Sequence, residues 1–149
     1  MAKSILFVVA SLVLAAGTAQ AELVRKQSPH TVIETIDRLE VAIKEKGLTV
    51  FNRIDHAAGA KKVDQDLRPT MLIIFGSPAV GTPLMQAQQT MGLALPLKVL
   101  SWEDADGKVW LAYETPADMA AAHGVPKDNP AIKRITGALD GFTDAAVKK

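Results

Sequence analysis

The chain has 149 residues, 48% hydrophobic and 22% charged, with 17 basic against 16 acidic side chains and no cysteine. Near-zero net charge, with no Lys/Arg cluster longer than a pair such as Lys61-Lys62 or Lys148-Lys149, excludes the basic stripe that nucleic-acid binding needs. The lack of cysteine excludes thiol nucleophiles, iron–sulfur clusters, cysteine zinc sites and disulfides, so stability must come from packing.

At the start of the chain, Lys3 precedes an apolar run from Ile5 to Ala16, and Ala19-Gln20-Ala21 puts small residues where signal peptidase accepts them. The pattern predicts a secretory signal peptide over residues 1–21, cleaved after Ala21, and hence an exported, periplasmic protein. The run is too short to span a bilayer comfortably, so no retained membrane span is expected. Lys3 is one of the basic residues, which leaves residues 22–149 charge-balanced and of a length suited to a single domain.

Leu23–Lys26 is a short strand candidate. Thr31 and Glu34 then form a capping box, and Val32, Ile36, Leu39 and Ile43 recur at helical spacing until Gly47 supplies a left-handed end. Leu48–Ile54 reads as a strand and Ala57–Val63 as one or two helical turns. After Pro69, the continuous apolar run Thr70–Phe75 reads as a buried strand. Val80–Met91 is predicted helical, broken by Gly92 and Pro96.

Leu97–Asp104 and Lys108–Thr115 form a hairpin around Asp104-Ala105-Asp106-Gly107, a type I turn with Gly107 as the left-handed residue of a bulge. This register opposes Asp104 to Lys108, Glu103 to Val109, Trp102 to Trp110 and Val99 to Tyr113. A short helix near Ala117–Ala122 follows. A longer one begins at Asn129 with Pro130 at its first position, and Ile132, Ile135, Leu139 and Phe142 form one apolar stripe. The order β-α-β-β-α-β-β-α-α predicts an α+β fold: a single mixed or mainly antiparallel sheet of about five strands with helices packed on it.

Four segments carry a family resemblance: His56-Ala57-Ala58-Gly59-Ala60, the block Phe75-Gly76-Ser77-Pro78-Ala79-Val80-Gly81-Thr82-Pro83-Leu84-Met85, Leu95–Leu100, and Glu103–Tyr113. Over roughly Ser28 to Gly124 the chain resembles the domain of unknown function 302 family. The resemblance implies a compact α+β domain and no settled activity. In two places the chain departs from the family pattern. Ser77 stands where the family commonly has Asn in Phe-Gly-Asn-Pro, and Ala94 where it has Asp in Leu-Asp-Leu-Pro.

Gly76 to Gly81 has the spacing of a phosphate loop between a strand and a helix, but Thr82 and Pro83 replace the lysine and hydroxyl residue, and Pro78 removes a backbone donor. Nucleotide hydrolysis is excluded on that ground. What remains is a tight turn needing small residues, or a small-ligand site formed by Ser77, Gly81 and Thr82 through amides and hydroxyls. Asp104-Ala105-Asp106-Gly107 fails as a calcium loop, because its glycine comes too early and Thr115 takes the place of the bidentate glutamate.

His30, His56 and His123 are far apart and show no paired metal spacing, and no metal or cofactor is expected. His56, after Asp55 at a strand end, is the general-base candidate, set against a histidine that merely bonds backbone. Glu103 and Tyr113 share a hairpin face as its acid–base companions. They lie roughly 13 Å apart along the strands and cannot share a proton. Ser77 lacks the Gly-x-Ser-x-Gly elbow of a serine hydrolase. The residues therefore point to a non-catalytic exported domain that binds a small ligand or protein partner and self-associates as a homodimer. The alternative is acid–base or hydrolytic work by His56, Glu103 and Tyr113 around one pocket, and a metal site on His56 with Asp55 or Asp64 is weaker still.

Overall fold

The computed structural model describes residues 22–149; the predicted leader lies outside the described residues. In chain order the elements are β1 (Leu23–Ser28), α1 (Val32–Glu45), β2 (Thr49–Asp55), α2 (His56–Lys61), β3 (Thr70–Gly76), α3 (Pro78–Ala87), a 3-10 segment (Gln89–Leu93), β4 (Leu97–Glu103), β5 (Val109–Glu114), α4 (Pro116–Ala122) and α5 (Pro130–Val147). The strands form one sheet in the order β1-β5-β4-β3-β2, antiparallel at every pairing. The α+β class and a single five-stranded sheet are as the sequence predicts. No helix among the described residues is long and apolar enough to cross a membrane.

Local signals explain most boundaries. Thr31 accepts from the Glu34 amide at 3.2 Å while the Glu34 carboxylate accepts from the Thr31 amide at 3.0 Å, closing the capping box of α1. Those bonds from Thr31, backbone first, hold the Glu34 carboxyl below its ordinary range. Gly47, at φ +72°, turns the chain out of α1. Pro130 opens α5 behind Asn129, whose side chain accepts from Ala131. The hairpin register matches the prediction: Trp102 opposes Trp110 and Glu103 opposes Val109. Asp104 fastens the turn, accepting from the Trp110 indole at 2.7 Å and from the amides of Asp106 and Lys108.

Where boundaries move, the cause is visible. β1 runs on to Ser28 because Gln27 and Ser28 pair with Trp110 and Val109. The helix predicted over Val80–Met91 starts earlier, since Pro78 fits its first turn, and stops at Ala87, where Gln88 becomes extended and a 3-10 segment follows. The apolar run of β3 is buried on one face only. Ile73 and Phe75 are wholly enclosed, whereas Leu72 and Ile74 are half-exposed. Both long helices, α1 and α5, lie on the face that holds Ile73, Val99 and Leu111, so neither covers the apolar residues on the other face.

The core is the contact of α1 (Ile36, Leu39, Ile43) and α5 (Ile132, Ile135, Leu139, Phe142) with that face. Phe142 meets Phe75 edge-on, ring centroids 6.2 Å apart at 76°. Polar contacts secure its margin. Arg38 donates from α1 to the carbonyls of Ala145, Ala146 and Lys148 at the end of α5. The Tyr113 hydroxyl donates to Asp140 Oδ1 at 2.6 Å, and Lys26 reaches Asp144 at 2.6 Å and Asp140 at 3.5 Å.

Leu39 is fully enclosed, and Leu39→Ala should lower the unfolding free energy by about 2–5 kcal/mol in urea denaturation. Burial, followed by the bond to Asp140, pushes the hydroxyl of Tyr113, the single tyrosine, well above its ordinary value of 10. The neutral phenol is the form favoured in the fold. Its stabilising contribution is therefore full below about pH 10 and is lost as pH climbs from there through the folded-state value. Tyrosinate absorbance should stay flat through pH 10 while circular dichroism remains native and rise only with alkaline unfolding; ionisation near 10 in the native state would contradict the bond.

Candidate functional site

The block Phe75–Met85 carries the chain from β3 into α3. Ser77 is the extended N-cap residue (φ −146°, ψ 132°), and its side chain makes no capping bond. Its carbonyl accepts from the amides of Val80 at 3.0 Å and Gly81 at 2.9 Å. Pro78 and Pro83 have no amide hydrogen to give. The first turn of α3 thus has little backbone donor capacity left. It also has little bulk, and α3 buries only Leu84.

The space left beside these small residues is a cavity of about 530 Å³, lined on one side by Ser77, Gly81 and Thr82, the three residues the sequence nominates for ligand binding. Phe51 of β2, Leu95 of the segment before β4, and Arg134, Ile135, Ala138 and Phe142 of α5 line the remainder. A Cβ on Gly81 would meet Leu95 Cδ1 at 3.5 Å and Met85 Cε at 3.8 Å, ordinary contacts, so this glycine sets the width of the space rather than preventing a clash. The lining is mostly apolar, interrupted by two hydroxyls and the Arg134 guanidinium.

A second cavity, about 570 Å³, lies at the uncovered sheet face over Leu72, Leu100, Trp102 and Ala112. Its rim is mixed in charge, with Arg25, Arg68, Lys98, Glu103 and Glu114. Glu103 and Tyr113 both border it, but the Tyr113 hydroxyl is committed to Asp140 and raised above 10, a poor proton donor at neutral pH. His56 borders neither cavity. It is exposed at the start of α2, beyond Asp55, which pairs through Met71 and Ser101 to Leu111. Three strand spacings separate it from β5, roughly 14 Å. The structure therefore brings Glu103 and Tyr113 to one cavity and leaves His56 away from it.

The weaker candidates resolve locally. Asp55 caps α2 by accepting from the Ala58 amide at 2.8 Å. Asp64 takes a left-handed turn at φ 54°, which aspartate tolerates. Among the described residues no group of three or more His, Asp or Glu is placed to hold a metal ion. Asp104 serves the hairpin, and its bonds from Trp110 and then Lys108 keep its carboxyl below the ordinary 3.8. Sequence reasoning missed Arg134, Phe51 and Leu95 as neighbours of the Ser77 turn. The available signal was faint: Arg134 flanks the apolar stripe of α5 immediately before Ile135.

Comparison with known proteins supplies the family. The chain is 46% identical over 124 residues to the fluoride-specific ion channel FluC 1 of Brucella suis biovar 1 (strain 1330), across 82% of this chain and 49% of that one. It is likewise 46% identical to FluC 1 of Brucella abortus biovar 1 (strain 9-941), across 82% and 46%. The chain spans about half the length of these curated relatives. The crystal structure of an uncharacterized conserved protein DUF302 from Bacillus stearothermophilus shares the fold, with a TM-score of 0.68 at 18% identity over 84% of this chain and 94% of that one. The family model for the domain of unknown function DUF302 matches residues 24–142. This chain belongs to the DUF302 family.

Proposed function

We propose that this chain is a non-catalytic binding domain whose small ligand occupies the cavity beside α3. The observation that carries the reading is the convergence of Ser77, Gly81 and Thr82 with apolar residues from β2 and α5 around one cavity. Pre-formed, mostly apolar cavities with a few polar groups, about 300–1,000 Å³ in volume, are the usual form of small-molecule sites. The separation of His56 from Glu103 and Tyr113 weighs against the acid–base alternative. Self-association as a homodimer belongs to the same proposal, supported by the partly exposed apolar residues Leu72 and Leu100 on the sheet face opposite α1 and α5.

We also propose export with cleavage after Ala21. The Glu22 nitrogen donates to Asp118 Oδ2 at 2.8 Å. Cleavage there converts that nitrogen into an α-ammonium group already facing a carboxylate. Asp118 is held below the ordinary 3.8 chiefly by this contact.

A second reading has its own observation. In the two Brucella proteins, a segment 46% identical to this chain makes up about half of a protein named as a fluoride-specific ion channel. On that reading the domain is an accessory to fluoride transport. Its test is thermal unfolding in sodium fluoride against sodium chloride, where a shift specific to fluoride supports it and equal curves overturn it.

Native mass spectrometry of protein from its own host should show a retained small molecule, lost in Gly81→Leu and kept in His56→Ala. Turnover abolished by His56→Ala would instead establish the enzymatic alternative. The intact mass should correspond to a chain beginning at Glu22. Asp118→Asn should lower Tm more in that chain than in one extended at its N-terminus, because only the former loses an ion pair.

A further inference from the structure

We propose that the ligand of the α3 cavity is an amphipathic anion, an aliphatic body with one carboxylate or phosphate head, and that Arg134 receives the head. This rests on the binding reading above and specifies its chemistry. Among the described residues Arg134 is the only charged one lining the cavity. No acidic side chain lines it, so an amine or zwitterion would place an uncompensated cation there.

The arginine is also available. Arg38 is occupied by the terminal carbonyls of α5, and Arg53 by Asp37 and Glu40. Among the described residues Arg134 makes no ion pair. Of the residues at the start of α3 that line the cavity, Val80 and Gly81 have their amides bound to the Ser77 carbonyl and Pro78 has none. A negative head must therefore be met by side chains, and a planar guanidinium matches a carboxylate with two parallel bonds. Arg134 is exposed on α5, one turn before Ala138, which also lines the cavity. That placement suits a charged head at the rim, with its methylenes laid along the apolar wall.

The test titrates purified protein beginning at Glu22 calorimetrically with hexanoate, octanoate and decanoate, with 1-decanol and decylamine as neutral and cationic controls. Affinity should rise about threefold to fourfold for each methylene buried. Decanoate should bind at least about tenfold tighter than decanol, consistent with one charge-assisted pair, and decylamine should not bind. Arg134→Gln should reduce decanoate to the level of decanol and leave decanol unchanged, with an unaltered circular dichroism spectrum. Sedimentation with phosphatidylglycerol vesicles separates the sources of the head. Binding to vesicles that Arg134→Gln abolishes identifies a lipid anion, whereas decanoate binding without co-sedimentation identifies a free acid; either supports Arg134 as the receptor. Equal affinity for decanoate and decanol, or an Arg134→Gln variant that binds decanoate normally, overturns the proposal while the cavity reading stands, provided Gly81→Leu blocks decanol. Failure of every probe to bind overturns both.

Discussion

The seating of α5 on the sheet is the constraint on which the rest of this molecule depends. One eighteen-residue helix places Ile135, Leu139 and Phe142 into the core and presents Asp140 to Tyr113 and Lys26. Its C-terminal carbonyls are received by Arg38 of α1. β1 and β5 are thus tied to α5 through Lys26 and Tyr113, and α1 is tied to its far end. Rotation of α5 about its axis would break the Phe142–Phe75 contact and the Tyr113–Asp140 bond together. The backbone positions of α5 that face α3 are consequently set by the same packing.

That rigidity on one side contrasts with the sparse packing of α3. The long helices bury five and seven residues, whereas α3 buries Leu84 alone. Its first turn is Pro78-Ala79-Val80-Gly81-Thr82-Pro83, small or ring-closed residues that satisfy helix geometry without filling space. A cavity arises where a well-seated helix faces a poorly filled one. The family block that first stands out as a signature thereby acquires a physical meaning: it shapes a wall. Phosphate-loop chemistry is unavailable to it, because two of its amides end on the Ser77 carbonyl and the lysine is absent.

The parts of the fold legible in the sequence are those governed by short-range chemistry. The Thr31–Glu34 box, Gly47, the Asp104–Gly107 turn and Pro130 each act within a few residues, and each element they bound appears with its predicted side chains buried. The stripe Ile132, Ile135, Leu139, Phe142 was sufficient to orient α5. That Ser77, Gly81 and Thr82 lie together at the start of α3 is legible for the same reason, since they belong to one short segment. Arg134 was not legible, because its relation to that turn passes through the tertiary packing of α5, more than fifty positions along the chain. The apolar pattern of β3 could not reveal that only one face is covered. A strand apolar on both sides reads as buried whether its second face meets a helix or another surface.

The two cavities differ in charge, and charge separates their chemistry. At the sheet face, three cations (Arg25, Arg68, Lys98) and two carboxylates (Glu103, Glu114) surround an apolar floor, so the rim carries both signs of charge. Beside α3 a single guanidinium stands against an apolar lining. Neither arrangement assembles a base, an acid and a nucleophile at one point. His56 is displaced from β5 by three strand spacings, and Tyr113 is committed to Asp140, so these two side chains do not meet at one site. In a mostly apolar space with two hydroxyls and one guanidinium in its lining, the largest favourable terms are apolar burial and a paired charge, and the proposed ligand, an apolar body carrying an anion, would realise both.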